Sequence, residues 1–278
     1  MGSRPSARAI VHLAQVGSTN SYARQAYRSG GPAFRELHDA ATTEGALPVD
    51  VVVTDEQTQG RGRLGRIWQS GVDEALCASF VVPLPRVVLE RGDGGWVTAC
   101  AGLAAVDALR AACDDRLGGL SLKWPNDLLW GGRKLGGILC ETAGMDEGCV
   151  CVVVGIGINL LTPAERLPLE AATSLAVHVE GLPTYAVLRD ALVDGIAGRI
   201  GEMLWRLAMR RDAARDDLLV RTKAASCTLG HRVEVRRADG TSVVGRAVDI
   251  RRDMALVVEL DDGSRVVVTA GDVGVLSR

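Results

Sequence analysis

The sequence predicts an α+β fold, a β-sheet flanked by helices and followed by a small all-β unit. Five short apolar or β-branched runs have strand length, at 49–54, 75–82, 120–130, 134–142 and 149–158. An alanine-rich stretch at 94–112 and a leucine-, alanine- and arginine-rich one at 185–223 are helical in composition. From Ser226 the texture changes to short alternating strands with turns at Asp239–Gly240 and Asp262–Gly263.

Taken in order, residues 18–27 (STNSYARQAY) read as a helix capped by Ser18 or Thr19, whose hydroxyls can accept from an early backbone N–H. The 49–54 run is a buried strand feeding a glycine-interrupted loop, GRGRLGR at 60–66. The 75–82 run is the next strand, stopped by Pro83 and Pro85, which cannot donate to a ladder. The 94–112 segment is the clearest helix. Runs 120–130 and 134–142 form a hairpin about Gly131–Gly132, and 149–158 is a further apolar strand. A long helix fills 185–223, and the domain boundary falls near 224–227, giving units 1–225 and 226–278.

Composition narrows the function classes. The 278 residues are 47% hydrophobic with mean hydropathy +0.14, enough to build a large core. Net charge is −2, and the eight basic and eight acidic residues of 226–278 cancel, so binding of nucleic acid or anionic membrane by bulk charge is not expected. The longest uncharged stretch, 148–164, is too short and too interrupted to span a membrane. The first residues carry no signal-peptide pattern. Seven cysteines without a CxxC pair read as small buried hydrophobes in a reducing, cytoplasmic setting. Three lysines stand against 29 arginines, and two of the three, Lys123 and Lys134, lie close together.

GRGRLG at 60–65 matches the letters of a dinucleotide loop, but Gly71 interrupts any helix soon after it and no acidic residue follows at the required offset. No Walker A loop is present. The glycines allow movement and close approach, and Arg61, Arg63 and Arg66 supply forks for carboxylate or phosphate; a solvated basic turn is the plainer alternative. In KWPNDLLWGGRKLGGILCE (123–141), Pro125 is expected to bulge or bend the strand and re-aim Asn126 and Asp127, while Gly136 and Gly137 suit a ligand packed on bare backbone. An ammonium and a carboxylate brought together there would hold a phosphate and its Mg²⁺, or form a structural salt bridge. GIGIN at 155–159 ends its strand in small residues. His12, His38, His178 and His231 match no metal spacing, and Trp124 and Trp130 read as packing residues.

STN (18–20), EQTQGRGRLGRIW (56–68), KWPND (123–127), RKLGGILCE (133–141) and GIGIN (155–159) together resemble, in order, the biotin protein ligase family over roughly residues 10–270. The resemblance implies a mixed sheet flanked by helices, related to class II aminoacyl-tRNA synthetases, and a Src-homology-3-like barrel at 226–278. It implies two half-reactions: biotin and ATP give biotinyl-adenylate and pyrophosphate, and an acceptor lysine then takes the biotin, releasing AMP. The acceptor would be the biotin carboxyl carrier domain of an acyl-CoA or pyruvate carboxylase. By resemblance Ser18, Thr19, Asn20 and Gln57 line the biotin pocket, with Gly60, Arg61, Gly62 and Arg63 of the loop and Gly136, Gly137, Gly155 and Gly157 as bare backbone. Arg61, Arg63, Arg66, Lys123, Asn126 and Asn159 face the nucleotide. Lys134 sits between biotin carboxylate and α-phosphate, Arg63 at the reacting groups, and Asp127 is a Mg²⁺ ligand or the general base for the incoming lysine. Family members often have Ser-Pro after the tryptophan matched by Trp68, where this chain has Gln69–Ser70 and then GVDE (71–74). The short stretch before residue 18 has no room for a helix-turn-helix, so a ligase without repressor function is expected, as monomer or homodimer. The rivals are a lipoate or octanoate ligase and a non-catalytic biotin sensor.

Overall fold

The computed structural model describes residues 7–30, 45–90, 94–113, 118–145, 148–209, 211–237 and 239–276, and His38 lies outside them. The chain runs β1 (Ala9–Val16), α1 (Thr19–Arg28), β2 (Asp50–Gln57), β3 (Gly60–Arg61), β4 (Ile67–Trp68), β5 (Ala75–Pro85), α2 (Val87–Glu90), α3 (Gly94–Ala112), β6 (Leu120–Lys123), β7 (Asp127–Trp130), β8 (Arg133–Met145) and β9 (Cys149–Asn159). It continues through α4 (Tyr185–Met209), α5 (Arg211–Ala225), β10 (Arg232–Arg236), β11 (Ser242–Ile250), β12 (Leu256–Glu259), β13 (Arg265–Val268) and β14 (Asp272–Val275). Seven strands form one mixed sheet in the order β1-β2-β5-β9-β8-β7-β6, with β1 parallel to β2 and the other pairs antiparallel.

Strand periodicity assigns the two faces. Val51, Val53, Leu76, Ala78, Phe80, Val152, Val154, Ile156 and Ile158 point into the main core, which α3 and α4 cover. The alternate residues Val52, Val81, Cys151 and Val153 point the other way, against Ala23 of α1. The second unit is a five-stranded antiparallel sheet, β13-β12-β11-β10-β14. It joins the first through the chain itself: Cys227 N–H donates to Leu122 O (2.9 Å), and the buried Trp124 donates its indole N–H to Met254 O (2.9 Å).

Three sequence expectations need correction. The 120–130 run is two antiparallel strands: the chain reverses through Trp124, Pro125 and Asn126, and Lys123 faces Asp127 across the turn. Pro125 thus lies between two strand pieces and, lacking a donor, marks a bend of the chain, the second of the two outcomes expected for it. Pro83 and Pro85 do not stop β5. They lie past Val81, the last residue paired to β2, so the strand there has only β9 beside it, an edge setting that proline tolerates. The helix expected over 185–223 is two helices, α4 and α5. Arg206 donates to Asp217 at 2.9 Å, whereas eleven residues of one straight helix would separate them axially by about 16 Å. β1, which the sequence reading passed over, forms the edge beside β2.

Candidate active site

The site begins where the α1 face of the sheet runs out of side chains. Along β9 that face reads Cys151, Val153, Gly155, Gly157, Asn159, so the apolar layer that packs α1 stops and gives way to two glycines on which Asn20 and the Trp68 indole lie. Above them is a cavity of about 670 Å³, within the range of small-molecule sites. Its lining has five cationic side chains (Arg61, Arg63, Arg66, Lys123, Lys134) against two carboxylates (Asp127, Asp272), in a chain whose net charge is −2.

One end is neutral and hydrogen-bonding. Ser18 caps α1, its hydroxyl accepting from Ser21 N–H at 3.4 Å. The next residue, Thr19, donates its N–H (2.9 Å) and hydroxyl (3.2 Å) to Gln57 Oε1 at the end of β2, which leaves the Gln57 amide N–H groups for a ligand. Buried Ser79 sits between Thr19 Oγ1 (2.8 Å) and Asn20 Oδ1 (2.6 Å), and Asn20 donates to Leu139 O (3.1 Å) and to Glu141 Oε2 (2.8 Å). Neither Ser79 nor Glu141 was assigned a role from sequence: a lone serine in an apolar strand gives no signal, and Glu141 was only the last letter of RKLGGILCE.

The other end is cationic. β8 carries a bulge, with Leu129 opposite Lys134 and Leu128 opposite Gly136, which turns Lys134 out of register. β9 ends before reaching Lys134, and an extended strap takes its place: Lys134 N–H donates to Ala171 O (2.7 Å) and Thr173 N–H to Lys134 O (2.8 Å). Lys134 Nζ then donates to Asp127 Oδ1 at 2.7 Å, while Lys123 Nζ lies 3.2 Å from Asp127 Oδ2. The strap, which brings Pro168, Leu169, Ala171 and Ala172 to the wall, had no sequence signal.

The arginine loop closes the cavity. β3 and β4 pair as a short ribbon, and Leu64 (φ 55°) and Gly65 (φ 74°) turn it back through the left-handed region, which a leucine seldom adopts. No long helix starts in this loop, which agrees with setting the dinucleotide reading aside. Arg61 Nη2 bonds Glu141 (3.0 and 3.3 Å), Arg63 Nη1 donates to Asn126 Oδ1 (2.9 Å), and Arg63 Nη2 reaches Gly271 O of the second unit (3.3 Å). Arg66 pairs with Asp272. Burial pushes the Arg63 guanidinium below its ordinary value, opposed by Asp272 and Asp127, and the Arg66 hydrogen bond holds the Asp272 carboxyl below the usual carboxylate range.

Residues 43–159 match the model of the Biotin/lipoate A/B protein ligase family, and 228–275 that of the Biotin protein ligase C terminal domain. A biotin--[acetyl-CoA-carboxylase] ligase of Mycobacterium tuberculosis is 32% identical over 261 residues, covering 94% of this chain and 86% of that one. The chain belongs to the biotin protein ligase family. Membership makes it an enzyme of the ligase class. It is also 29% identical to the bifunctional ligase/repressor BirA of Bacillus subtilis over 84% of this chain and 68% of that one. Its fold is that of the Aquifex aeolicus biotin protein ligase solved in complex with biotin and ATP, with TM-score 0.68 and 21% identity over 98% of this chain and 100% of that one.

Of the residues assigned from the ligase resemblance, Ser18, Thr19, Asn20, Gln57, Arg61, Gly62, Arg63, Arg66, Lys123, Asn126, Asp127, Lys134, Gly137, Gly155, Gly157 and Asn159 line the one cavity. Gly60 and Gly136 do not line it. A Cβ at Gly60 would sit 2.2 Å from Trp68 O, and one at Gly136 2.5 Å from Gly157 O, so both glycines serve close approach within the protein. The bare backbone of Gly155 and Gly157 is likewise taken up by Asn20 and the Trp68 indole, 2.3 and 2.6 Å from where a Cβ would stand. Asn159 donates to Thr173 O (2.9 Å) and so holds the strap. Both oxygens of Asp127 face ammonium groups, and no cluster of three metal-ligating side chains occurs among the described residues, so any Mg²⁺ here would need the ATP phosphates as ligands. The seven cysteines are free, and no described helix is long and apolar enough to cross a membrane.

Proposed function

We propose that the protein activates biotin with ATP to biotinyl-5′-adenylate and pyrophosphate and passes the biotin to a lysine of a carboxyl carrier domain. The observation that carries this is the asymmetry of the 670 Å³ cavity: a neutral amide-and-hydroxyl end at Thr19 and Gln57, and a cationic end at Lys134, Lys123 and Arg63. A ureido head needs donors and acceptors without net charge. A carboxylate attacking a phosphate needs cations between two anions, and a fixed ammonium at Lys134 would favour the crowded transition state most.

In this reading Asp127 holds Lys134 against the nucleotide, and its buried carboxylate, bridged by two lysines, would receive the acceptor lysine's proton. Mg²⁺ would enter with the ATP phosphates, with Asp127 the carboxylate at the cationic end that could meet it. Arg61 and Arg63 would take the carboxylate and phosphates, with Arg66 released from Asp272 to join them. The relative from Mycobacterium tuberculosis, named for acetyl-CoA carboxylase, supports a carboxylase carrier domain as acceptor. Residues 226–278 would form the Src-homology-3-like barrel that follows the catalytic unit 1–225.

The test is pyrophosphate exchange into ATP with biotin, lipoate, octanoate or no acid. Exchange with biotin alone is expected. Exchange with lipoate or octanoate instead would move the protein to that neighbouring activity, and biotin binding without exchange would leave a sensor.

A further inference from the structure

We infer that Glu141, which lines no part of the cavity, is a positioning residue that sets Arg61 to face the carboxylate of the bound acid. This rests on the biotin-activating reading above.

Glu141 lies on the α1 face of β8, mostly buried, and its two oxygens collect donors from two separate segments. Asn20 Nδ2 (2.8 Å) and Arg24 Nη1 (2.8 Å) come from α1, and Arg61 Nη2 (3.0 Å) comes from the loop. The first two can be read as fastening α1 to the sheet. The third cannot, because Arg61 belongs to a two-residue strand of the closing loop and is 44% exposed.

Two features decide between a tether and a decoy that occupies Arg61 until a ligand displaces it. Both bonds from Arg61 to Glu141 run through Nη2, so the rest of the five-donor fork is left for an anion. Charge points the same way: two guanidiniums meet one carboxylate, and the cluster keeps a positive charge for the ligand after Glu141 has been satisfied. Arg61 can therefore hold Glu141 and a ligand carboxylate together. Since Asn20 keeps its second bond, to Leu139 O (3.1 Å), loss of Glu141 should free the arginine more than the amide.

The experiment is steady-state pyrophosphate exchange on the full chain with biotin varied at saturating ATP, for wild type, Arg61→Ala, Glu141→Ala, Glu141→Gln, Arg24→Ala and the double variant Arg61→Ala/Glu141→Ala. Glu141→Ala and Arg61→Ala should each raise KM for biotin about ten- to hundredfold with little change in kcat, as loss of a charged hydrogen bond does. The double variant should match Arg61→Ala alone, because the two residues act as one unit. Glu141→Gln, which keeps an acceptor without the charge, should fall between wild type and Glu141→Ala, and Arg24→Ala should lower the melting temperature without raising KM. Additive effects in the double variant, an unchanged KM in Glu141→Ala, or an equal KM rise in Arg24→Ala would overturn the assignment. A wild type inert with biotin would instead sink the activity reading.

Discussion

At the scale of the residue, the central object is a carboxylate between two of the chain's three lysines. Asp127 is buried, and Lys134 and Lys123 take one oxygen each. Truncating Lys134 leaves that carboxylate with one partner and removes the ammonium that would sit between two anions. Lys134→Ala should therefore retain biotin binding, seen by calorimetry, while exchange falls by about a hundredfold or more. A variant whose KM rises while kcat holds would place Lys134 in ground-state binding only. These residues were legible because chemistry of this kind uses types the rest of the chain avoids; lysine stands out against 29 arginines. Ser79 and Glu141 were not legible, since hydrogen-bond hubs are defined by what converges on them from other strands, and nothing adjacent in sequence marks that.

At the scale of the element, the site depends on where side chains are missing. Gly157 leaves room for the Trp68 indole, which returns the loop to the sheet and forms a wall of the cavity. A methyl group there would stand 2.6 Å from the ring and force β4 outward. Gly157→Ala should cost about 1–3 kcal/mol of stability by overpacking and raise KM for biotin, measured by thermal melting and exchange. A variant with normal KM would mean that Trp68 does not shape the pocket. The strap makes a parallel case: Thr173→Pro would delete both the N–H that bonds Lys134 O (2.8 Å) and the buried hydroxyl that meets His178 Nε2 (2.6 Å), and kcat and melting temperature should both fall, whereas Thr173→Val, which keeps the N–H, should lower the melting temperature with little change in kcat. The strands and α3 could be read from periodicity because local pattern decides them. The reversal at Pro125, the passage of β5 through two prolines and the α4–α5 break could not, because each turns on which neighbour lies alongside, a tertiary fact.

At the scale of the whole molecule, the second unit brings Asp272 and Val275 to the cavity wall and, among the described residues, bonds the arginine loop twice, Arg66 with Asp272 and Arg63 with Gly271 O. Both fall on the loop that covers the cavity, so the small sheet acts as the loop's anchor and would hold it partly closed before any ligand arrives. The anchor's pH dependence has a definite sign. The hydrogen bond from Arg66 depresses the Asp272 pKa, so the folded state binds fewer protons there than the unfolded chain. The contact's contribution is then fully present above the ordinary aspartate value of about 3.9 and fades as pH falls through the lower folded value. Amide protection of residues 61–66, corrected for intrinsic exchange, should stay level from neutral pH down to that point and decline below it. Asp272→Asn should lose protection at every pH, be cleaved faster by trypsin at Arg61, Arg63 and Arg66, and regain resistance when biotin and ATP are added. Equal cleavage of wild type and variant would show that the loop is held by the catalytic unit alone, through Asn126 and Glu141.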